Sequence, residues 1–313
     1  MISVIVPTYN REGCLYSMLK SINRQNIAEF EVIVIDQSEV VSEDKISKIL
    51  KSCRNVKYYN IDKKGRPLAK NFGIQKATKK IVVFCDDDII AEDDFLSEHL
   101  RIHQSYENIG AASCHLIEPH QKVIDCSMPL KITSYGRFIN VPNSSFNGFV
   151  TSLNGGNMSF KYSALQEIGY FDENLRGTSM LEEPDIAYRL LKKGYKLYFS
   201  SSTCVKHFPQ YNGNVTIKSN EKKEWLRSYF FNQYFFMFKN KRQKYFLLLL
   251  IYLSYRSIVE SLKVHKGVFK FLDLPYTAFW KAFVDWHKKK KKYNRAWYTP
   301  CNQEVTVVKY KAA

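Results

Sequence analysis

Three consecutive carboxylates, Asp86-Asp87-Asp88, close the apolar run Ile81-Val82-Val83-Phe84-Cys85. Such a run reads as a buried strand, and side chains alternate along an extended chain, so Asp86 and Asp88 are expected on one face and Asp87 on the other. Two acids on one face repel unless a cation lies between them. A hard divalent ion, which takes oxygen ligands and often bridges to a phosphate, fits that place. The alternative is a solvated acidic turn, since Ala91-Glu92-Asp93-Asp94-Phe95 has the composition of a helix start. The triplet alone leaves these two readings level. A second cluster, Glu182-Glu183-Pro184-Asp185, opens a helical pattern that Gly194 ends, and capping and the helix dipole explain such acids without any chemistry. His99 and His103 stand four apart in a helical stretch, but no third metal ligand neighbours them and they read as helix-surface histidines.

The elements that would position these acids alternate regularly. Strand patterns at 2–6, 31–35, 56–61 and 81–85 are separated by helical patterns at 12–25, 44–51 and 68–77. Repeated βα winding predicts a mostly parallel sheet covered by helices on both faces, with ligands at the carboxyl ends of the strands. The residues to inspect are therefore Pro7-Thr8-Tyr9-Asn10-Arg11, Asp36-Gln37-Ser38 and the aspartates. Neither GxGxxG after the first strand nor GxxxxGK[ST] anywhere is present, which disfavours a dinucleotide-dependent dehydrogenase and a P-loop enzyme. Residues 109–150 combine a strand pattern at 111–117 with polar, proline-bearing segments, the composition of a pocket-shaping loop or of a plain surface excursion.

Within the 313 residues, 45% are hydrophobic and 15% aromatic, enough for a catalytic domain and an appendage. Seven scattered cysteines without a CxxC pair suit reduced thiols in the cytosol. The chain opens directly on a strand pattern, with no signal peptide in view. Of the net charge of +17, most sits late: residues 214–313 hold 21 Lys+Arg and 6 Asp+Glu, against 26 and 24 in residues 1–213. A basic tail suits an anionic partner, a membrane surface or a nucleic acid.

Read in order, Val4-Ile5-Val6-Pro7-Thr8-Tyr9-Asn10-Arg11, Val32-Ile33-Val34-Ile35-Asp36, Gly65-Arg66-Pro67-Leu68-Ala69-Lys70-Asn71 and the acidic triplet resemble the family 2 inverting glycosyltransferases of GT-A fold. Leu153-Asn154-Gly155-Gly156-Asn157 and the Glu182–Asp185 cluster extend the resemblance to about residue 210. It implies a nucleotide-sugar donor, with Pro7 and Thr8 beneath the base, Asp36 accepting from a uracil imide, and Asp86 on the ribose. Asn10, Arg11, Arg66 and Lys70 complete the nucleotide site, although relatives often carry Arg at the position of Lys70. Asp88, completed by His207, would hold Mn2+ or Mg2+ against the diphosphate, and Asp87 is left a structural role. Gly155, Gly156 and Asn157, with Glu182 and Asp185, would border the donor sugar and acceptor. Glu183 falls at the position of the catalytic base, where Asp is usual.

The expectation is an α/β catalytic domain over 1–213 and a helical, basic and aromatic extension over 214–313. The apolar run 245–255 has 11 residues, about 16 Å as a helix, too short for a hydrocarbon core of about 30 Å. The tail is thus expected to pack on the catalytic domain or lie in the membrane interface, with Trp280, Trp286 and the lysines at 288–292 as anchors. The implied reaction is transfer of a sugar, UDP-linked by family habit, to a glycan or lipid-linked acceptor at the inner face of the cell membrane in cell-surface polysaccharide synthesis. No nucleic acid is expected, because no RNA-binding or helix-turn-helix motif is evident. Two alternatives are a phosphatase of the haloacid dehalogenase type, which shares an apolar strand followed by Asp-x-Asp, and a nucleotide-sugar-binding protein that has lost turnover.

Overall fold

The computed structural model describes residues 1–118, 121–177, 179–208, 219–240, 243–265, 273–295 and 307–311. Its first half follows the expected winding: β1 (Ile2–Thr8), α1 (Glu12–Asn23), β2 (Phe30–Asp36), α2 (Glu43–Ser52), β3 (Val56–Ile61), α3 (Arg66–Lys76) and β4 (Ile81–Cys85). β1 pairs in parallel with β2 on one side and β4 on the other, and β2 pairs in parallel with β3. The chain therefore winds outward from β1 to β3 and then crosses back beyond β1. That reversal leaves a crevice at the carboxyl ends of β1 and β4, the place where open α/β sheets take ligands.

Both faces of these strands are buried, which is why they read as continuous apolar runs rather than alternating ones. Val4 and Val6 enter one core, together with Val32, Val34 and Val83, while Ile5 enters the opposite core with Ile33, Ile35 and Phe84. The second half departs from parallel order. It comprises β5 (Ile89–Ala91), α4 (Phe95–Ser105), β6 (Ile109–Ile117), β7 (Leu130–Ile132), β8 (Phe138–Asn140), β9 (Gly148–Val150), β10 (Asn157–Lys161), α5 (Tyr162–Ile168), α6 (Glu182–Lys192) and β11 (Lys196–His207). β10 inserts antiparallel between β4 and β6, and β11 runs parallel to β6 and antiparallel to β5 and β9. Residues 109–150 thus contribute sheet strands as well as excursions.

His99 and His103 do not lie on the surface of α4. Both are buried, with His99 Nδ1 at 2.7 Å and His103 Nε2 at 2.9 Å from Ser159 Oγ in β10. Burial drives both pKa values down to about 3, so both are neutral at pH 7. The four-residue spacing marks the face α4 presses against the sheet, not its surface.

The extension is helical, as expected: α7 (Ser219–Lys239), α8 (Phe246–His265) and α9 (Leu274–Arg295), followed by β12 (Val307–Lys311). The proposed junction at 213–214 lies outside the described residues. The aromatics of α7 do not face lipid. Tyr229, Phe230, Phe231, Tyr234, Phe235, Phe236 and Phe238 form a third core with α8, α9 and the catalytic-domain residues Ile132, Leu175 and Leu181. Trp286, expected as an anchor, packs edge-on against Phe235 in that core, 6.2 Å between centroids. β12 returns to pair antiparallel with β3, making the last described segment the outer strand of the catalytic sheet. Helix α8 runs beyond the apolar stretch to 20 residues, yet among the described residues no helix is long and apolar enough to cross a membrane.

Candidate active site

The crevice is a cleft of about 510 Å3 lined by Pro7, Thr8, Tyr9, Arg11, Gln37, Arg66, the three aspartates and His207. That volume falls in the range of about 300–1,000 Å3 common for small-molecule sites. β4 ends at Cys85, so Asp86-Asp87-Asp88 form a turn rather than the end of a strand. Strand alternation therefore does not apply to them, and all three reach the cleft, Asp87 included.

Their environments differ. Asp87 accepts hydrogen bonds from Thr8 Oγ1 (2.6 Å) and Arg11 Nη1 (3.2 Å). Burial, reinforced by Asp88 and Asp86, nevertheless pushes its pKa up to about 6. Asp88 Oδ2 accepts from Arg11 Nη1 at 2.7 Å, and its Oδ1 lies 3.2 Å from His207 Nε2. Burial works against the Asp88 charge, but His207 and Arg11 outweigh it and hold the pKa below the usual range. The same contact raises the pKa of His207. Asp88 Oδ1 is buried and makes no formed hydrogen bond, the state in which a carboxylate oxygen is costly to leave. One ligand atom from each of Asp86, Asp88 and His207 lies within 4.8 Å of the others. Two carboxylates and an imidazole suit a divalent ion that accepts oxygen and nitrogen donors, and the orphaned oxygen gives such an ion a place to bind. Asp86, assigned to the ribose by the sequence, thus also stands among the possible metal ligands.

The turn Gly155-Gly156 joins the triplet to the second acidic cluster. Asp86 N donates to Gly156 O at 3.2 Å, and a Cβ on Gly156 would lie 2.7 Å from Leu116. A Cβ on Gly155 would overlap Glu183 Oε1, so the absent side chain is what lets Glu183 occupy its place. Glu183 is half-buried, and burial, aided by the neighbouring Glu182 charge, pushes its pKa up to about 7. Burial disfavours the Arg66 charge, but Asp86, Glu182, Glu183 and Asp87 overcome this and hold its pKa above the ordinary value. Two residues ahead of Glu183, Leu181 adopts φ 79° and Ser179 φ 56°, a left-handed entry that a core anchor for Leu181 helps to enforce.

Several residues expected at the ligand are held by protein partners. Asp36 is fully buried, with Lys45 Nζ (2.7 Å), Tyr58 OH (2.6 Å) and Ser38 N (2.8 Å) donating to its carboxylate. Burial opposes its charge, yet these donors lower its pKa. Its neighbour Gln37 faces the cleft in its place, with Nε2 donating to the carbonyls of Lys63 and Gly65. Lys70 is buried and pairs with Glu182 Oε1 at 2.7 Å, so neither lines the cleft. Asp185 bonds Arg189 and, at 2.8 Å, Lys239 of α7. Asn157 spends its amide between Cys114 N and His115 O, fastening β10 to β6. Asn10, at φ 53°, turns the chain, its N–H donating to Ser38 Oγ at 2.9 Å. Tyr9 and Gln37 line the cleft as well; their position just past strand ends marked them for inspection, but the resemblance gave neither a role.

Two family models match the chain: "Glycosyl transferase family 2" over residues 3–125 and "Glycosyl transferase family group 2" over residues 81–284. An uncharacterised glycosyltransferase of Rickettsia conorii is 30% identical over 128 residues, which is 38% of this chain but only 21% of that protein's length. The O-antigen chain rhamnosyltransferase RfbN of Salmonella typhimurium is 22% identical over 217 residues, 67% of each chain. Among solved structures, the mannosyltransferase PcManGT of Pyrobaculum calidifontis, in complex with GDP-Man and Mn2+, superposes with a TM-score of 0.55 at 16% identity, covering 92% of this chain and 75% of that one. The last likeness is one of fold, the GT-A architecture of a mostly parallel sheet with helices.

Proposed function

The chain belongs to glycosyltransferase family 2, and on that premise we propose that it is a metal-dependent, inverting transferase. It would move a sugar from a nucleotide-sugar donor, UDP-linked by the resemblance, to a hydroxyl of a glycan or lipid-linked acceptor. Its place would be the cytoplasmic face of a membrane, in the synthesis of a cell-surface polysaccharide. The observation that carries the reading is the arrangement across the Gly155-Gly156 turn. On one side stands a carboxylate whose pKa is raised to about 7, and on the other the Asp86, Asp88 and His207 cluster.

In this reading Asp86, Asp88 and His207 would hold Mn2+ or Mg2+, which when bound would supply positive charge to the diphosphate leaving group. Arg66 and Arg11 add fixed positive charge on the same side of the cleft. Pro7, Tyr9 and Gln37 border the nucleotide. Glu183, poised near neutrality, takes the proton of the acceptor hydroxyl as that oxygen attacks the anomeric carbon, a role that needs a reach of about 2.6–3.2 Å to the hydroxyl. Attack from the face opposite the leaving group inverts the anomeric configuration.

The test is calorimetry with uridine, guanosine and thymidine diphosphates, each with and without Mn2+. Metal-dependent binding of one of them, lost in Asp88→Ala, is the expected result. Equal affinity with and without metal would overturn the metal assignment.

A further inference from the structure

Helix α8 carries a second pattern that the aromatic core does not use. Leu247, Leu248, Ile251, Tyr255, Ile258 and Leu262 are all exposed, Leu247 at 69%, Ile251 at 59% and Tyr255 at 63%. At 100° per residue they fall within an arc of about 100° along the whole helix. The opposite side, with Leu249, Leu253, Ser257 and Glu260, is buried. Helix α9 repeats the arrangement with Tyr276, Trp280 and Val284 exposed at four-residue spacing, while Leu274, Ala278 and Ala282 face the shared core. Both stripes therefore point away from α7. A contiguous apolar stripe of this kind on a protein surface marks an interaction face, whereas singly scattered apolar residues need no explanation.

The surrounding charge selects the occupant. Lys281, Lys288 and Lys290 are exposed on α9, and Lys244 is exposed just ahead of α8. The acids within the two helices face away from the stripes and are paired, Glu260 with Lys222 and Asp285 with Arg176, while Asp273, just ahead of α9, is one exposed acid against these four lysines. Of the remaining lysines expected as anchors, Lys289 donates to Asn174 Oδ1, and the side chains of Lys291 and Lys292 lie outside the described residues. An apolar stripe bearing a tryptophan and tyrosines, edged by lysines that form no ion pair among the described residues, complements a bilayer interface whose headgroups are anionic. A hydrophobic protein partner would be served by the apolar stripe alone and leaves the lysines unexplained.

We propose that the exposed faces of α8 and α9 are one docking surface for an anionic lipid bilayer, on which both helices lie flat without crossing it. The inference rests on the membrane side of the proposed function and names the surface responsible; it does not depend on the chemistry of the cleft. Because the stripe residues are exposed, charging them leaves the core intact.

Flotation of the full chain with phosphatidylcholine vesicles, with and without about 30% phosphatidylglycerol, tests it. Binding at low salt should need the anionic lipid and weaken at high salt. Leu248→Glu with Ile251→Glu, or Trp280→Glu, should cut the bound fraction at least ten-fold, and Lys281→Gln with Lys288→Gln and Lys290→Gln should do so to a smaller degree. Nucleotide diphosphate calorimetry run on the same variants should be unchanged. Absence of vesicle binding alongside intact nucleotide binding overturns the docking surface and leaves the transferase reading standing; the reverse result overturns only the latter. Concentration-dependent dimerisation that Ile251→Glu abolishes, without lipid binding, assigns the face to a second copy of the chain and likewise overturns the proposal.

Discussion

Two groups of carboxylates, one beside α7 and one in the cleft, have opposite fates. Asp172 and Asp185 are buried beside Lys239, which bonds both at 2.8 Å, and Arg189 bonds Asp185 from the next turn of α6. Every charge there has a partner, and the set fastens α7 to the helix that carries Glu183. In the cleft, Asp86, Asp87 and Asp88 lie among Arg11, Arg66 and His207, yet one acid is pushed up to about 6 and one buried oxygen is left without a hydrogen bond. The residue type is the same. What differs is whether each buried carboxylate oxygen has a donor, and an unmet one leaves room for a cation from solution.

The comparison can be broken or sharpened by substitution. Glu183→Gln should lower turnover by about 10²–10⁴-fold, the usual yield of general base catalysis, while leaving nucleotide binding intact; an unchanged rate would remove Glu183 from the mechanism. Its raised pKa predicts a pH profile in which kcat/KM rises through about 7 as the base ionises. The stability sign follows from the same shift. With a folded pKa above the unfolded value, the Glu183 contribution is complete below about pH 4.3 and is lost as pH rises toward 7. The Tm of the wild type relative to Glu183→Gln should therefore fall over that window.

Lys239→Met should cost about 3–5 kcal/mol in chemical denaturation, because it strands two buried acids. Asp88→Ala, by contrast, should cost clearly less, and a loss as large as that of Lys239→Met would erase the distinction between the two regions. Gly155→Ala should act on rate and not on fold: its methyl displaces only the tip of Glu183, and a misplacement of about 1 Å can cost about 10²-fold. The smallest effect expected is that of Tyr58→Phe, about 1.5–3 kcal/mol for one hydrogen bond to a charged group, with nucleotide affinity unaltered if Asp36 is structural. A selective loss of nucleotide affinity in calorimetry would return Asp36 to the binding site.

Most of the winding could be read from local pattern. Strands 56–61 and 81–85 coincide with β3 and β4, and the first three helices lie within a few residues of the expected spans. Such elements announce themselves through apolar runs and caps that neighbours in sequence supply. The acidic residues could be located but not sorted, because their partners are remote: Lys239 lies 54 residues from Asp185, and Lys70 lies 112 from Glu182. No local signal tells a paired carboxylate from an unpaired one. The antiparallel insertion of β10 was hidden for the same reason, since register with β4 and β6 depends on strands distant in the chain.

The pairing of β12 with β3 gives the chain an order of events. During synthesis the β3 edge emerges early and stays open, with its backbone donors and acceptors unmet, until residues 307–311 leave the ribosome. The catalytic half can wind its sheet before then, but it does so carrying a raw edge and the empty sockets of Ile132, Leu175 and Leu181. A version cut after the catalytic domain would keep both hazards for its lifetime, so its signature in the cell would be inclusion bodies rather than a smaller working enzyme.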